Sequence, residues 1–311
     1  MRQLKQNPDL FPIRQDRYGQ RIVYLIGNEN KGGKCPFQCK GCNANISPKV
    51  TPESNMRRLR ELHGGYEEKI TGQYHALIYN GGNITNPSEC SREALDDFLN
   101  FFREDERVAA VSISSRGKFL TDEMLGHIGR KYLPYQVNII FGQESFSPLL
   151  KEIYGKDTMR NGRVSGELEE IAEKITEANS GYAGRVHQRF GLEVNLLYLA
   201  ELYPDKKSRE GIEADVKTLL KIVDKRMLLE IDINPFYEVP QLPYKSADVE
   251  ELLGSIPRIQ GIIREYNQNL TENLATIFIG ILSPDGTIDE RLRGISKEVE
   301  VLNNNIWGDK K

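Results

Sequence analysis

Three cysteines stand close together in the segment KCPFQCKGC, with the spacing C-x₃-C-x₂-C. Cys35, Cys39 and Cys42 are near enough in the chain for their thiolates to bind one metal centre. Three protein ligands leave one coordination position open, as they do in catalytic metal sites. The triplet therefore predicts a metal centre that also holds a substrate or a cofactor.

The residues alone leave two kinds of metal centre open. A structural zinc site usually has four protein ligands arranged as pairs, and Cys90, the fourth cysteine, belongs to no second pair. Iron–sulfur clusters are also held by thiolates at short spacings, commonly four of them. A cluster held by three thiolates keeps one iron open to another ligand.

The composition excludes several functional classes. The 311 residues are 39% hydrophobic and carry a formal net charge of -3, which argues against a general polyanion binder. No apolar run approaches the roughly 20 residues that span a bilayer, and the polar, proline-broken start predicts neither a signal peptide nor an anchor. With four cysteines, three of them clustered, we expect no disulfide framework and a reducing, cytoplasmic location.

Short apolar runs alternate with helical patterns along the chain. This alternation indicates parallel βα units covered by helices on their faces. Three helices are predicted between these runs. One begins at Pro87 and Ser88, a second begins after an N-cap at Ser165, and a third carries an apolar stripe that includes Ile212 and Val216. The strand-like runs begin at Arg21, His75, Val108, Gln136, Leu192 and Leu228.

Six βα units are fewer than the eight that close a full barrel. The predicted fold class is therefore α/β, a partial (β/α)6 TIM-like barrel with parallel strands, and the alternative is a doubly wound sheet. A further helix at about 246–266 and the strand ATIFIGIL add a C-terminal extension. We expect one domain, with an N-terminal extension over 1–20, a core over 21–245 and a C-terminal extension over 246–311 packed on the core.

The cysteine loop follows the first predicted strand, and ligands of parallel α/β proteins bind at the carboxyl ends of strands. In this position the C-x₃-C-x₂-C loop resembles the signature of the radical S-adenosylmethionine (radical SAM) superfamily. The resemblance implies that Cys35, Cys39 and Cys42 hold a 4Fe–4S cluster whose open iron binds S-adenosylmethionine. Reductive cleavage of that cofactor would yield a 5′-deoxyadenosyl radical. Gly41 departs from the family pattern, which usually has an aromatic residue before the third cysteine.

Polar residues at later strand ends resemble further family elements, in particular those of the elongator-like branch. IYNGGN resembles the Gly-Gly-Glu element that binds the methionine amino group, with Asn83 in place of the glutamate. SISSRGKFL and NIIFGQES resemble the Ser-Arg element and the element that contacts the ribose. The residues that the resemblance implies for cofactor binding are Gly81, Gly82, Asn83, Ser114, Arg116, Gln143, Glu144 and Asn195, and Ser145 and Asn234 are further candidates.

Candidates for substrate chemistry are fewer. Cys90 is a candidate hydrogen-atom donor to a substrate radical, although a lone cysteine at a helix start is commonly a small buried residue. Lys156, Arg160 and Arg163 form a cationic loop that would clamp a phosphate or a carboxylate, or would simply be solvated. The four histidines show no metal-ligand spacing.

The sequence thus predicts a radical SAM enzyme with one cluster that abstracts hydrogen from a small polar substrate or one presented by a partner protein. It would need a reducing partner such as flavodoxin or ferredoxin. We expect no association with a membrane. One alternative is a tRNA- or macromolecule-modifying enzyme with a basic groove formed by Arg57, Arg58, Lys156 and Arg160, although nucleic acid is not favoured. Another is a non-catalytic zinc- or cluster-binding regulatory protein.

Overall fold

The structure is a computed structural model that describes residues 14–26, 39–40, 52–79, 82–180, 189–205, 208–225, 227–236, 242–268, 270 and 275–279. The strands are β1 (Arg14–Asp16), β2 (Gly19–Leu25), β3 (Tyr74–Tyr79), β4 (Val108–Ser114), β5 (Gln136–Glu144), β6 (Phe190–Tyr198), β7 (Leu229–Pro235) and β8 (Thr276–Ile279). The helices are α1 (Pro52–Tyr66), α2 (Arg92–Arg103), α3 (Asp122–Gly129), α4 (Leu150–Tyr154), α5 (Gly166–Ser180), α6 (Ser208–Ile222) and α7 (Val249–Asn267).

Every apolar run predicted as a strand is a strand. The six core runs are β2 to β7, and the C-terminal run is β8, which follows the predicted helix α7. These strands are buried along nearly their whole length, as expected when both faces of a parallel sheet are covered. Strand β1 is an addition that the sequence pattern did not predict. It pairs antiparallel with β2, with Asp16 opposite Gly19, through a tight turn.

The chain divides into two compact units. The N-terminal unit comprises Phe11–Phe141 and Glu173–Gly191, and the C-terminal unit comprises the remaining residues. In the N-terminal unit, β2, β3, β4 and the first part of β5 pair in parallel and in chain order. Their carboxyl ends therefore lie at one edge of the sheet, where the turns after β3 and β4 are neighbours.

An aromatic cluster fills one side of the N-terminal unit. The ring of Tyr24 on β2 meets Tyr66 of α1 and Phe102 of α2 edge to face, with centroids 5.8 and 5.3 Å apart. Tyr24 and Phe102 are completely buried. Such edge-to-face pairs stabilise a core beyond the area that they bury. They fix α1 and α2 against the strands whose ends carry the candidate site.

The C-terminal unit has its own parallel strands and core. Strands β6, β7 and β8 pair in parallel, with Asn195 opposite Asp232 and Asp232 opposite Phe278. An apolar cluster around Leu199 and Leu202 packs α4 against the end of β6. On α6 the predicted stripe faces inward, because Ile212, Val216 and Leu219 are wholly buried.

The predicted start of α2 at Pro87 and Ser88 is wrong. The helix begins at Arg92, and its N-cap is Ser91, whose side chain accepts a hydrogen bond from the backbone of Ala94. Residues 87–89 form a turn instead, closed by backbone hydrogen bonds from Glu89 and Cys90 to the carbonyl oxygen of Asn86. Helix α7 begins at Val249 after an Asp248 cap, close to the predicted position. Within the described ranges, no helix combines the length and the apolar character needed to cross a bilayer.

Candidate cofactor-binding site

The segment after β3, residues 82–91, is called the Asn83 turn below. The buried carboxylate of Glu89 organises it. Glu89 Oε2 accepts the backbone N–H of Asn83 at 2.9 Å, and its Oε1 accepts the side-chain amides of Asn83 at 2.8 Å and of Asn86 at 2.6 Å. Backbone bonds from Asn86 to Asn83 and from Glu89 to Asn86 close the turn further. The turn is therefore preorganised around Asn83.

The end of β4 fixes the Asn83 turn in place. Ser114 Oγ donates a hydrogen bond to the carbonyl oxygen of Gly82 at 2.8 Å, and the backbone N–H of Ile84 donates to the carbonyl of Ser114 at 3.0 Å. Two residues later, Arg116 is only 6% exposed, and its guanidinium carbon lies 6.0 Å from the centroid of the Phe141 ring. The structure thus brings Gly82, Asn83 and Ser114 together.

In the C-terminal unit, Gln143 and Glu144 are the last two residues of β5. The buried Gln143 amide donates to the carbonyl oxygens of Ser145 and Val164 and to the hydroxyl of Thr158, at 2.9 to 3.3 Å. No donor in the described part of the chain meets its Oε1 atom. Gln143 therefore ties the end of β5 to the loop before α5.

Glu144 has the left-handed φ of +65°, which is uncommon for a residue other than glycine. Its Oε1 atom accepts a hydrogen bond from Lys156 Nζ at 2.7 Å, and both side chains are largely buried. The ion pair lies over Gly142, where an added Cβ would fall 2.6 Å from Lys156 Nζ. Backbone strain of this kind persists only where the surroundings fix it, and it is common at functional sites.

The cationic loop is therefore not the wholly solvated surface that one interpretation of the sequence allowed. Lys156 is 9% exposed and paired with Glu144, whereas Arg163 pairs with Glu169 at 2.6 Å and is mostly exposed. Arg160 and Arg163 join in a short antiparallel bridge. In the N-terminal unit, Arg57 and Arg58 of α1 both lie within 4 Å of Glu61.

Three of the predicted site residues, Cys35, Cys42 and Gly81, lie outside the described residues, as does Gly41. Cys39 is described and is nearly buried, at 9% exposure. Cys90 is 3% exposed, and its thiol points to the carbonyl of Ser91 at 3.7 Å.

On β6, Asn195 is half-buried, and no donor within the described ranges reaches its Oδ1 atom. Ser145 Oγ donates to the Tyr203 hydroxyl at 3.3 Å.

Sequence reasoning missed a buried polar chain in the N-terminal unit. His75 Nδ1 lies 2.6 Å from Asp16 Oδ2, and His75 Nε2 lies 2.6 Å from Ser112 Oγ. Arg21 is 3.6 Å from the same Asp16 oxygen. Burial would raise the pKa of Asp16, but the charge and hydrogen bond of His75, together with Arg21 and the Tyr18 amide, outweigh it and lower that pKa below its ordinary value of 3.8.

The relatives by sequence are distant. No model of a known protein family matches the chain. An uncharacterized protein of Methanocaldococcus jannaschii is 28% identical over 140 residues, a match that covers 43% of this chain. The matched region spans 38% of the length of that protein.

Solved structures share the fold over most of the chain. A radical SAM methyltransferase from Sphaerobacter thermophilus matches with a TM-score of 0.51 and 13% identity over 83% of this chain and 66% of its own. Spore photoproduct lyase with a dinucleoside spore photoproduct matches with a TM-score of 0.52 and 12% identity, over 90% and 80% of the two chains. The same enzyme with bound AdoMet and the dinucleoside matches with a TM-score of 0.50 and 12% identity, over 89% and 79%.

These solved structures have low sequence identity to this chain but superpose on most of it, which indicates a shared fold. They confirm the predicted α/β class and the partial barrel of parallel strands. The chain has the fold of radical SAM enzymes.

Proposed function

We propose that this protein is a radical SAM enzyme that holds one 4Fe–4S cluster through Cys35, Cys39 and Cys42. The observation that carries the proposal is the C-x₃-C-x₂-C triplet directly after the first parallel strand of a chain with this fold. Thiolates at short spacings are the ligands that iron–sulfur clusters use, and three of them leave one iron for a further ligand. The proposal includes S-adenosylmethionine as that ligand.

The described residues fit an amino-acid-bearing cofactor. Asn83 follows β3, in a turn that Glu89 and Ser114 hold rigid, so its side chain needs little ordering when a ligand binds. Arg116 is a buried fork of donors at the next strand end, which suits a bidentate contact with a carboxylate. These two side chains would receive the amino and carboxyl groups of the methionine moiety, with Gly81 and Gly82 allowing close approach of the backbone.

A cluster held by the three cysteines and reduced by one electron would cleave bound S-adenosylmethionine to methionine and a 5′-deoxyadenosyl radical, which would abstract hydrogen from the substrate. We also propose that the adenosyl group of the cofactor is oriented by the remaining predicted residues, Gln143, Glu144 and Asn195. The Ser114–Arg116 element supports assignment to the elongator-like branch. Cys90, which is buried, remains a candidate hydrogen donor.

A small polar substrate, or one presented by a partner protein, is preferred to nucleic acid. Lys156 is paired with Glu144 and largely buried, so one of the four cations assigned to the basic groove is already neutralised. The proposal includes a reducing partner such as flavodoxin or ferredoxin and a cytoplasmic location, where thiolates stay reduced.

Anaerobic reconstitution with iron and sulfide tests the cluster. A brown protein with about four iron and four sulfide per chain, competent to bind S-adenosylmethionine, supports the proposal. A colourless protein that takes up one tightly bound zinc and no sulfide would instead identify the non-catalytic regulatory alternative. Reconstituted protein that binds a tRNA more tightly as salt falls would favour the macromolecule-modifying alternative.

A further inference from the structure

Glu89 is a buried carboxylate with no cationic partner among the described residues. It is 1% exposed, and its three hydrogen-bond donors are neutral groups, namely the backbone and side-chain amides of Asn83 and the side-chain amide of Asn86. Buried charges in proteins are normally paired with an opposite charge, because leaving water is costly for them. The Asn83 turn therefore carries a negative charge that a bound cation would compensate.

The same hydrogen bonds determine which way the Asn83 amide faces. The Nδ2 atom must face Glu89, because a carbonyl oxygen opposite a carboxylate oxygen would be repelled. Oδ1 is then directed away from Glu89. Asn86 is oriented in a similar way, since its Oδ1 accepts hydrogen bonds from the backbone and the hydroxyl of Ser88. A hydrogen bond from an amide N–H to a carboxylate also polarises the amide and makes its oxygen a stronger acceptor.

We propose that Glu89 is a positioning residue that supplies the charge for an ammonium-binding site whose direct contact is Asn83 Oδ1. This inference rests on the proposed function and identifies the ligand group as the primary ammonium of S-adenosylmethionine. Glu89 acts through Asn83, holding its carbonyl oxygen toward the ligand and adding a negative charge behind it. The carboxylate that the sequence pattern lacks at position 83 is thus provided six residues later.

The arrangement also explains why residue 83 is an asparagine. A carboxylate at that position would stand about 3 Å from Glu89, and two carboxylates that close cannot both ionise near neutral pH. An amide at position 83 can donate to Glu89 and accept from an ammonium at once. Exchanging the two groups, with the carboxylate at position 83 and the amide at position 89, would preserve one charge and the hydrogen bond between them.

The test measures equilibrium binding of S-adenosylmethionine and of its deaminated analogue to the anaerobically reconstituted holoprotein. The variants are Glu89→Gln, Asn83→Asp, and Asn83→Asp combined with Glu89→Gln. Glu89→Gln should weaken binding of S-adenosylmethionine about tenfold and leave the analogue within about twofold. The combined variant should restore the preference for S-adenosylmethionine, and Asn83→Asp alone should not exceed the wild type.

Iron content and thermal unfolding of each variant control for folding, because loss of structure would weaken both ligands equally. Equal weakening of both ligands in Glu89→Gln, or no weakening of either, overturns the role of Glu89 while leaving the proposed function intact. If the unaltered holoprotein binds no S-adenosylmethionine, both proposals fail. If Glu89→Gln does not fold, the variant that combines Asn83→Asp with Glu89→Gln tests the inference instead. If this combined variant does not prefer S-adenosylmethionine to the deaminated analogue, the role of Glu89 is contradicted.

Discussion

The hydroxyl of Ser114 donates a hydrogen bond to the carbonyl oxygen of Gly82 over 2.8 Å. This contact joins the end of β4 to the start of the Asn83 turn, two elements that are 32 residues apart in the chain. It holds the backbone of the turn in the position from which Asn83 would meet the cofactor. The contact has the ordinary length of an O–H···O hydrogen bond and lies beside the buried Asn83, so its loss should affect both stability and binding.

Ser114→Ala should lower the free energy of unfolding by about 1 kcal/mol, because the hydrogen bond from the Ser114 hydroxyl to the Gly82 carbonyl is lost. It should also weaken binding of S-adenosylmethionine to the reconstituted protein several-fold, since the turn becomes less ordered. Urea unfolding and equilibrium binding measure the two effects. Ser180→Ala, at the exposed end of α5, is the control and should change neither. Unaltered binding in Ser114→Ala would exclude the turn from the cofactor site.

Alanine at Cys35, Cys39 or Cys42 should abolish the iron–sulfur absorbance of the reconstituted protein, because two thiolates do not hold the cluster. Cys90→Ala should retain it, since the Cys90 thiol is buried against the Ser91 carbonyl. Iron and sulfide analysis of the four variants measures the effect. Loss of iron in Cys90→Ala alone, with iron retained in the other three, would show that the ligand set is wrong.

The pair of Asp16 and His75 predicts a loss of stability at acid pH. Because the pKa of Asp16 is lowered on folding, its stabilisation is fully present above its unfolded value near 3.8 and is lost as the pH falls through the folded value. Asp16→Asn should cost about 3 kcal/mol near neutral pH, and the cost should shrink below about pH 4.

Urea unfolding at several pH values measures the difference between Asp16→Asn and the wild type. The control is Asp205→Asn, because Asp205 is exposed on the loop before α6. This variant should leave the dependence of the unfolding free energy on pH unchanged. A cost that is the same at neutral and acid pH would mean that Asp16 is not ionised in the folded protein.

Two helical glycines of the C-terminal unit should respond in opposite ways to alanine. A Cβ on Gly211 would lie 2.2 Å from ring atoms of Tyr203, whose hydroxyl donates to the buried Asp215 at 2.6 Å. Gly211→Ala should therefore destabilise the protein by about 2 kcal/mol. Gly254 in α7 has open space around it, so Gly254→Ala should stabilise by up to about 1 kcal/mol. Thermal unfolding of both variants measures the contrast, and equal effects would contradict the packing at Tyr203.

Features that are continuous in the sequence were predictable. The parallel strands are unbroken apolar runs between amphipathic helices, and the structure confirms them. The cysteine triplet is also a contiguous motif, and its role as a ligand set stays a prediction. The start of α2 was predicted wrongly because Pro87 and Ser88 look like a cap, although the side chain that caps the helix is that of Ser91.

Contacts made by distant residues were not predictable. His75 and Asp16 are 59 positions apart, and no local pattern pairs them. Lys156 looked like part of an exposed loop because its partner Glu144 is 12 positions earlier in the chain, on the other side of α4. Glu89 looked like an ordinary residue of a helix start, and its role arises because the chain bends back to Asn83.

Radical formation by this protein is measured as 5′-deoxyadenosine after the reconstituted protein is mixed anaerobically with S-adenosylmethionine and a strong reductant. We expect the wild type to form 5′-deoxyadenosine and methionine, and Cys39→Ala to form neither. A wild-type protein that carries a complete cluster, binds S-adenosylmethionine and still yields no 5′-deoxyadenosine under reduction would contradict the proposed function.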